Sequence, residues 1–272
     1  MSARYRVTFL QTHPSQYMSP LFRHIASTRC DIDLTVLYAS TPMPSQQGVG
    51  FDEAFAWDVS LTEGYTHRIL AAPQPGREFS SGSFSGADVG SVDDAIAGTQ
   101  PDVVVVPGWH SMFYVRAIAA CRRANIPVLY RGDSNLLSGP GGITRIAWAL
   151  RTRAALRMFD GYLSVGSRIR EYLRHFGAPE PLIFDSPHAV DNAYFAERAD
   201  HLRQNGGRAA ARREMGAAGD DFLVLFAGKF IERKRPADVI AAASQLGPDV
   251  VVAMAGSGPL MAEARAAAGR SG

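Results

Sequence analysis

The stretch Pro101-Asp-Val-Val-Val-Val-Pro-Gly-Trp109 decides the fold class of this 272-residue chain. Its four consecutive valines have no polar alternation, which is typical of a strand buried on both faces in a parallel sheet covered by helices. Segments with helical spacing separate it from other apolar runs. The predicted strands are residues 5–11, 33–39, 67–70, 102–107, 126–131, 161–165 and 182–184. This alternation predicts a complete, doubly wound, Rossmann-like α/β domain.

Serine residues mark the predicted starts of three helices. Ser19 stands before Pro20, Ser111 follows the four-valine strand, and Ser167 precedes a helix that ends at residues 175–177. Serine is a favoured N-cap residue, so we expect these side chains to cap their helices. Two long loops, 41–63 and 74–91, interrupt the pattern, and the aromatic residues of the first could order over a ligand.

A second, shorter α/β pattern follows a break near residues 185–191. A polar, arginine-rich helical stretch runs to residue 214, and then strands at 222–227 and 249–255 alternate with helices at 236–246 and 260–268. We therefore predict a first domain at 1–187, and a hinge with a second domain at 188–272. Two strands do not complete a doubly wound sheet, so we expect this domain to be only the start of one and the chain to be truncated.

Composition excludes several classes of protein. The net charge of +2 gives no general polyanion-binding surface, so we expect no nucleic-acid partner. No apolar run approaches the roughly 20 residues of a membrane-spanning helix. No export signal is recognisable, which favours the cytoplasm, and we expect both Cys30 and Cys121 to be buried free thiols. The arginines of residues 145–157 do not gather on one helical face, so a membrane-surface helix is a minor alternative.

Lysine is scarce, and its two occurrences are close together. Of 28 basic residues only Lys229 and Lys234 are lysines, and both follow the strand at 222–227. Ligands bind at the carboxyl ends of strands in open α/β sheets, and Gly228 would let the backbone approach an anion such as a diphosphate. A solvated basic turn before a helix explains the same residues about equally well.

A glycine turn, Gly256-Ser257-Gly258, follows the next strand and opens a helix. Free backbone N–H groups at a helix N-terminus suit a phosphate, although tight strand-to-helix turns require glycine in any case. Neither a Walker A loop nor a complete dinucleotide fingerprint is present. The turn is a stronger candidate for phosphate binding because it lies one strand-helix unit after the lysine pair.

Polar residues also follow the strands of the first domain. His13 and Ser15 follow the first strand, His110 follows the four-valine strand, and Asp133 follows the strand at 126–131. His188, near the predicted hinge, is a weaker candidate ligand. Asp133 could orient a sugar hydroxyl, or it could simply stabilise a turn. The Asp31-Ile-Asp33 sequence precedes a strand, which favours a surface turn over a metal site.

Taken together, these motifs resemble glycosyltransferase family four, a family with the GT-B fold. The stretches that carry the resemblance are 101–109, 126–134, 160–167, 186–191, 222–230 and 256–259. The resemblance implies transfer of a sugar from a nucleotide-diphosphate donor with retention of configuration, without a metal or other cofactor. The acceptor would be a glycan, a lipid-linked molecule or a small molecule held by the first domain, as in cell-envelope or exopolysaccharide synthesis.

The resemblance also implies residue roles. Gly228, Lys229 and Lys234 match the basic segment that holds the donor diphosphate, and Gly256, Ser257 and Gly258 match the turn near the nucleotide. His13, Ser15 and His110 would face the acceptor. Asp133 stands where many members have a histidine beside the reacting sugar. Where Lys229 stands, the family usually has arginine, which binds anions in a bidentate manner.

One family feature is absent from residues 1–272. Family members have two glutamates with seven residues between them, and no pair of glutamates in this sequence has that spacing. We expect that motif beyond Gly272. A truncated, non-catalytic sugar-binding or nucleotide-binding module, or an interaction module, is therefore the alternative function. Peripheral contact with the inner face of a membrane and a sugar-nucleotide epimerase activity are further, less favoured alternatives.

Overall fold

The computed structural model describes residues 4–42, 57, 59–72 and 83–271. Most of the first predicted loop and half of the second lie outside these residues. The chain forms two compact units. One consists of the residues up to Pro42 together with Trp57–Val190, and the other contains Asp191–Gly272.

The first unit is built on a seven-stranded parallel sheet, and the strands predicted from the sequence are confirmed. They are β1 (Tyr5–Gln11), β2 (Ile32–Ser40), β3 (Thr66–Ala71), β4 (Val103–Val106), β5 (Val128–Gly132), β6 (Gly161–Ser164) and β7 (Ile183–Asp185). The strand order is β3-β2-β1-β4-β5-β6-β7, and every neighbouring pair is parallel. From β1 the chain adds β2 and β3 on one side of the sheet and then β4 to β7 on the other. A ligand crevice is expected at this switch point, at the carboxyl ends of β1 and β4.

Helices cover this sheet and bury both of its faces. Val104 and Val106 of β4 belong to one hydrophobic cluster, whereas Val105 belongs to a second cluster. Alternate residues of a strand point to opposite faces, so the two clusters show that β4 is buried on both sides. The helices of this unit are α1 (Ser19–Thr28), α2 (Val92–Thr99), α3 (Met112–Arg123), α4 (Thr144–Leu156) and α5 (Ser167–His175).

Two of the three predicted serine caps, Ser19 and Ser167, are wrong. Ser19 and Ser167 are the first residues of α1 and α5, and the N-cap positions belong to Met18 and Gly166. The buried Ser19 hydroxyl lies 2.9 Å from the carbonyl oxygen of Ser15 and 2.6 Å from that of Leu61, and these tertiary contacts take the place of capping. Ser111 occupies the N-cap position of α3, but its side chain makes no capping hydrogen bond.

The second unit contains a two-stranded parallel sheet. Its elements are α6 (Asn192–Gln204), α7 (Gly207–Glu214), β8 (Phe222–Ala227), α8 (Pro236–Ala243), β9 (Val250–Ala255) and α9 (Met261–Ser271). Among the described residues β8 and β9 pair with each other, and Phe222 and Leu225 of β8 remain 68% and 52% exposed. The buried residues Phe230, Ile240 and Ala264 form a small core beneath the pair.

Two smaller expectations need correction. The helix predicted to extend to residue 246 ends at Ala243, because the amides of Gln245 and Leu246 bond to carbonyls only three residues back and tighten the chain into a turn. Cys30 is exposed, whereas Cys121 is buried as expected. Burial raises the pKa of the Cys121 thiol to about 11, which leaves it protonated and unreactive.

Candidate functional site

The segments that follow β8 and β9 interlock beyond the ends of the strands. The amide of Gly228 donates to the carbonyl of Ala255 at 2.9 Å, and the amide of Phe230 donates to the carbonyl of Ser257 at 2.8 Å. The lysine-bearing segment and the glycine turn therefore lie side by side at the carboxyl edge of the sheet. In α/β sheets this is the edge at which ligands bind.

Gly256 makes this interlock geometrically possible. Its φ angle is +144°, a conformation that residues with a side chain rarely adopt. A Cβ atom at this position would lie 1.9 Å from the carbonyl oxygen of Gly228. The two backbones thus approach more closely than a side chain would permit, and residue 256 must be glycine for them to do so.

Lys229 lies inside the interlocked segment, between Gly228, whose amide bonds to the end of β9, and Phe230, whose amide bonds to the glycine turn. Its side chain is half-buried. The next residue, Phe230, is only 2% exposed and packs its ring 5.7 Å from that of Phe226. This burial fixes the backbone on which Lys229 is displayed, beside the turn formed by Gly256, Ser257 and Gly258.

Lys234 lies outside the interlock and is exposed. It ends a single 3-10 turn, Glu232–Lys234, and is followed by Arg235, whose φ of +51° reverses the chain before α8 begins at Pro236. The structure thus places Gly228, Lys229 and the glycine turn together through backbone hydrogen bonds. It places Lys234 on the turn that follows.

At the carboxyl edge of the first sheet, Tyr114 of α3 contacts the residues that follow β1 and β4. Its hydroxyl accepts a hydrogen bond of 3.0 Å from the amide of Thr12, and its ring lies 5.1 Å from the ring of His110 in an edge-to-face contact. The hydroxyl of Thr12 in turn lies 3.0 Å from Nδ1 of His13. Tyr114 therefore links His13 and His110, which sequence patterns alone did not connect.

Burial lowers the pKa of both histidines, so their neutral forms are favoured in the folded protein. For His13, burial is the whole cause. For His110, which keeps access to solvent, burial lowers the pKa and the negative charge of Asp133 partly opposes it. That interaction places the exposed Asp133, which follows β5, on the same edge as His110. A neutral imidazole can accept a proton or a hydrogen bond from a hydroxyl group.

The backbone of Ser15 lies at the start of α1. Its carbonyl oxygen accepts hydrogen bonds from the amides of Met18 and Ser19 at 3.1 and 3.0 Å, and so starts α1. The Ser111 hydroxyl, next to His110, is buried and has no hydrogen-bond partner in the described part of the chain.

Sequence patterns missed Arg131, a buried cation at the end of β5. Its guanidinium donates to the hydroxyl of Ser186 at 3.1 Å and to the carbonyls of Ser186 and Pro187 at 3.2 and 3.4 Å. Only 6% of the residue is exposed, and burial lowers its pKa. Arg131 therefore holds the segment that precedes the exposed His188 against the sheet. A charged residue in an apolar strand was the available signal.

A cavity of about 640 Å³ opens beside His110. Trp109 forms part of its wall, with its ring 5.8 Å from Tyr130 and 6.2 Å from Phe159 in the core. The walls are mainly apolar and include one cationic residue, Arg151, in addition to the histidine. The lining residues are Phe84, Trp109, His110, Val115, Arg151, Ala154, Ala155 and Met158.

No group of three or more candidate ligands for a metal ion occurs among residues 4–42, 57, 59–72 and 83–271. Asp31 forms an ion pair of 2.7 Å with Arg29, which lowers the pKa of its carboxyl group. Asp33 lies within β2, so the Asp31-Ile-Asp33 sequence runs from a turn into a strand, in line with its interpretation as a surface turn.

The parallel sheet, its switch point and the second strand pair define an α/β protein of the GT-B type. Three solved structures show the likeness. A glycosyltransferase from Rickettsia africae has a TM-score of 0.60 and 11% sequence identity, and the match covers 98% of this chain and 64% of that one. UDP-GlcNAc 2-epimerase from Neisseria meningitidis, bound to UDP-GlcNAc, has a TM-score of 0.57 and 12% identity, with coverage of 98% and 68%. HepE from Anabaena, in complex with UDP and glucose, has a TM-score of 0.56 and 13% identity, with coverage of 98% and 67%.

The chain spans about two thirds of the length of the solved structures that it matches. No curated protein sequence matches it. The family model for the glycosyl transferase 4-like domain matches residues 14–184, which is more than half of the chain. The chain belongs to this family, as the motifs of the sequence indicated.

Proposed function

We propose that the protein is a retaining glycosyltransferase that moves a sugar from a nucleotide-diphosphate donor to an acceptor without a metal ion. The observation that carries the proposal is the interlock of the Gly228–Phe230 segment with the Gly256–Gly258 turn, which fixes a cation beside a glycine-rich backbone at a sheet edge. Solved proteins of this fold include a UDP-bound and a UDP-GlcNAc-bound member, which supports a nucleotide sugar as the ligand.

In the proposed reaction the donor diphosphate lies against the interlock. Negative charge develops on the diphosphate as the bond to the sugar breaks, and fixed cations and N–H donors stabilise that charge without further reorganisation. Lys229 would supply a positioned ammonium group, and Lys234 a second one from the following turn. The positive end of α9, which begins at Met261 shortly after the turn, adds to the same field.

The acceptor would bind at the edge of the first sheet. A neutral His110 can accept a hydrogen bond from an acceptor hydroxyl, and Asp133 can orient a second one. The cavity beside Trp109 suits an apolar or ring-shaped portion of the acceptor, and Arg151 suits an anionic group. These features support a glycan or lipid-linked acceptor of the kind used at the cytoplasmic face of the membrane in cell-envelope or exopolysaccharide synthesis.

Calorimetric titration of the chain with UDP and other nucleoside diphosphates tests the donor site. Lys229→Gln should weaken binding by roughly tenfold, because one charge-assisted contact is lost. Arg270→Gln, at the other end of α9, removes an equal charge from the same unit and serves as the control. Equal affinities of the two variants would contradict the assignment of Lys229.

Release of free nucleoside diphosphate from a panel of nucleotide sugars tests the reaction. Where turnover occurs, Lys234→Ala should lower kcat by roughly a hundredfold through lost leaving-group stabilisation. An unchanged kcat would refute the role of Lys234. Conversion of the nucleotide sugar to its 2-epimer, seen by NMR, would instead establish the epimerase alternative, which the fold of the Neisseria enzyme favours. Nucleotide binding without turnover would support the non-catalytic module.

A further inference from the structure

Helix α4 is apolar on the side that faces solvent as well as on the side that packs on the core. Thr152, Ala155 and Leu156 are its buried residues. On the opposite side Ile146 is 64% exposed and Leu150 is 62% exposed. These two residues are four positions apart and therefore lie one above the other along the helix.

Two further large apolar residues before α4 are exposed. Ile143, at the N-cap position, is 84% exposed, and Leu137, in the preceding 3-10 turn, is 86% exposed. Leu137, Ile143, Ile146 and Leu150 are here called the α4 ridge. Single exposed apolar residues are ordinary, but four large ones within fourteen consecutive residues, two of them one turn apart on α4, indicate an interaction surface.

Uncompensated positive charge flanks the ridge. Residues 134–159 contain four arginines and no aspartate or glutamate. Within the described part of the chain these four make no ion pair, whereas Arg6, Arg29, Arg116, Arg122, Arg123 and Arg170 of the same unit each pair with a carboxylate. The four arginines are exposed; they are Arg145, Arg151 and Arg153 in α4 and Arg157 directly after it.

The positions of the arginines suit an interface between an apolar and an anionic layer. At about 100° per residue, Arg151 and Arg153 fall on opposite sides of Leu150, so the ridge has a cation on each flank. Arginine can bury its aliphatic stem along an apolar surface and still direct its guanidinium toward polar headgroups. An apolar ridge flanked by cations is the arrangement of helices that lie in the plane of a membrane surface.

We infer that the α4 ridge docks the protein on an anionic lipid bilayer. Two copies of the chain that met through this face would bring their unpaired arginines together, which argues against self-association. At 13 residues α4 is about 20 Å long, too short to span a bilayer, and no described helix has the length and apolar content to do so. The ridge therefore lies along the surface.

Docking in this orientation has a consequence for the cavity beside His110. Arg151, Ala154 and Ala155 of α4 form one of its walls. The helix that contacts the lipid thus also borders the cavity, so an amphiphilic molecule could pass from the headgroup region to His110. The docking itself does not depend on the proposed transfer reaction, and its test requires no nucleotide.

Co-sedimentation of the full chain with vesicles tests the inference. The vesicles are phosphatidylcholine alone or phosphatidylcholine with about one third phosphatidylglycerol. We expect the chain to bind the anionic vesicles and to dissociate in high salt. The double variant I146Q/L150Q should lower the partition coefficient at least tenfold, because two inserted apolar side chains are lost. R153Q/R157Q should lower it roughly fivefold per arginine, on anionic vesicles only.

The matched control is F195Q/L202Q on α6. Phe195 and Leu202 are 61% and 53% exposed, so this variant removes a comparable apolar surface and should bind vesicles as the wild type does. Circular dichroism should show all variants folded, because every changed side chain is exposed. Absence of wild-type binding, or equal losses in I146Q/L150Q and the control, would overturn the inference. The inference would also be overturned if I146Q/L150Q bound vesicles as the wild type does but changed the molecular mass of the protein in solution. That result would identify a second protein chain as the partner of the ridge.

Discussion

The substitution Gly256→Ala tests the interlock on which the donor-site proposal depends. An alanine there would have to adopt a φ of +144°, which costs about 1–3 kcal/mol. Its Cβ would also lie 1.9 Å from the carbonyl oxygen of Gly228, so the two segments would have to separate. Separation breaks the hydrogen bonds from Gly228 to Ala255 and from Phe230 to Ser257, at about 0.5–1.5 kcal/mol each.

The total effect of Gly256→Ala is therefore about 2–6 kcal/mol, which would open the loops or unfold the second unit. The three tryptophans, Trp57, Trp109 and Trp148, lie outside residues 191–272, so fluorescence does not report on this unit. Hydrogen exchange followed by mass spectrometry is the appropriate assay. We expect peptides that cover residues 222–230 to exchange at least tenfold faster in the variant.

Two alanine variants serve as controls for Gly256→Ala. At Gly247 a Cβ would meet nothing within 4 Å, and at Gly228 it would meet only the ring of Phe226 at 3.8 Å, an ordinary contact. Both variants should keep the exchange protection of residues 222–230. If Gly256→Ala protected this segment as well as Gly247→Ala does, the close approach of the two backbones would be wrong. The donor-site proposal would then lose its geometric basis.

Three further changes test the first unit. Arg131→Met removes the hydrogen bonds to Ser186 and should lower stability by about 1–3 kcal/mol, measured by tryptophan fluorescence in urea; an unchanged midpoint would contradict the buried contact. Because burial lowers the pKa of His13, the unfolded chain binds more protons than the folded chain below about pH 6.5, and the free energy of unfolding should fall as the pH drops through that window. His13→Gln should make the free energy of unfolding less dependent on pH, as measured by denaturation curves at pH 5 and pH 7. Asp133→Asn removes the charge that raises the pKa of His110, so NMR titration should show a lower pKa for that histidine, and a higher one would refute their interaction.

The sheet of the first unit was predictable because its signal is local. Four valines in succession can be buried only where both faces are covered, and β4 contributes to a hydrophobic cluster on each side. The glycine turn and the lysine segment were also predicted at one edge, since consecutive parallel strands end on the same side. The helix caps were not predictable, because the partner of Ser19 is Leu61, forty-two positions away.

The remaining features of the candidate site depend on contacts between distant segments. Tyr114 links the residues after β1 and β4 through its hydroxyl and its ring, and nothing in its neighbourhood in sequence indicates this. A membrane-surface helix at residues 145–157 was only a minor alternative from the sequence, because its arginines do not gather on one helical face. The sequence shows apolar residues at helical spacing on two sides of α4, and only burial distinguishes the side that packs, with Leu156, from the side that remains exposed, with Leu150.

The hydrogen bonds from Arg131 to Ser186 and Pro187 have a consequence for the evolution of such proteins. Because Ser186 and Pro187 are bound to the end of β5, the chain leaves the first unit at a point fixed by that unit alone. The exposed residues 188–190 then form a natural junction for recombination. A different second unit could be joined there without disturbing the parent sheet, so under the proposed function the two ligand specificities could change independently.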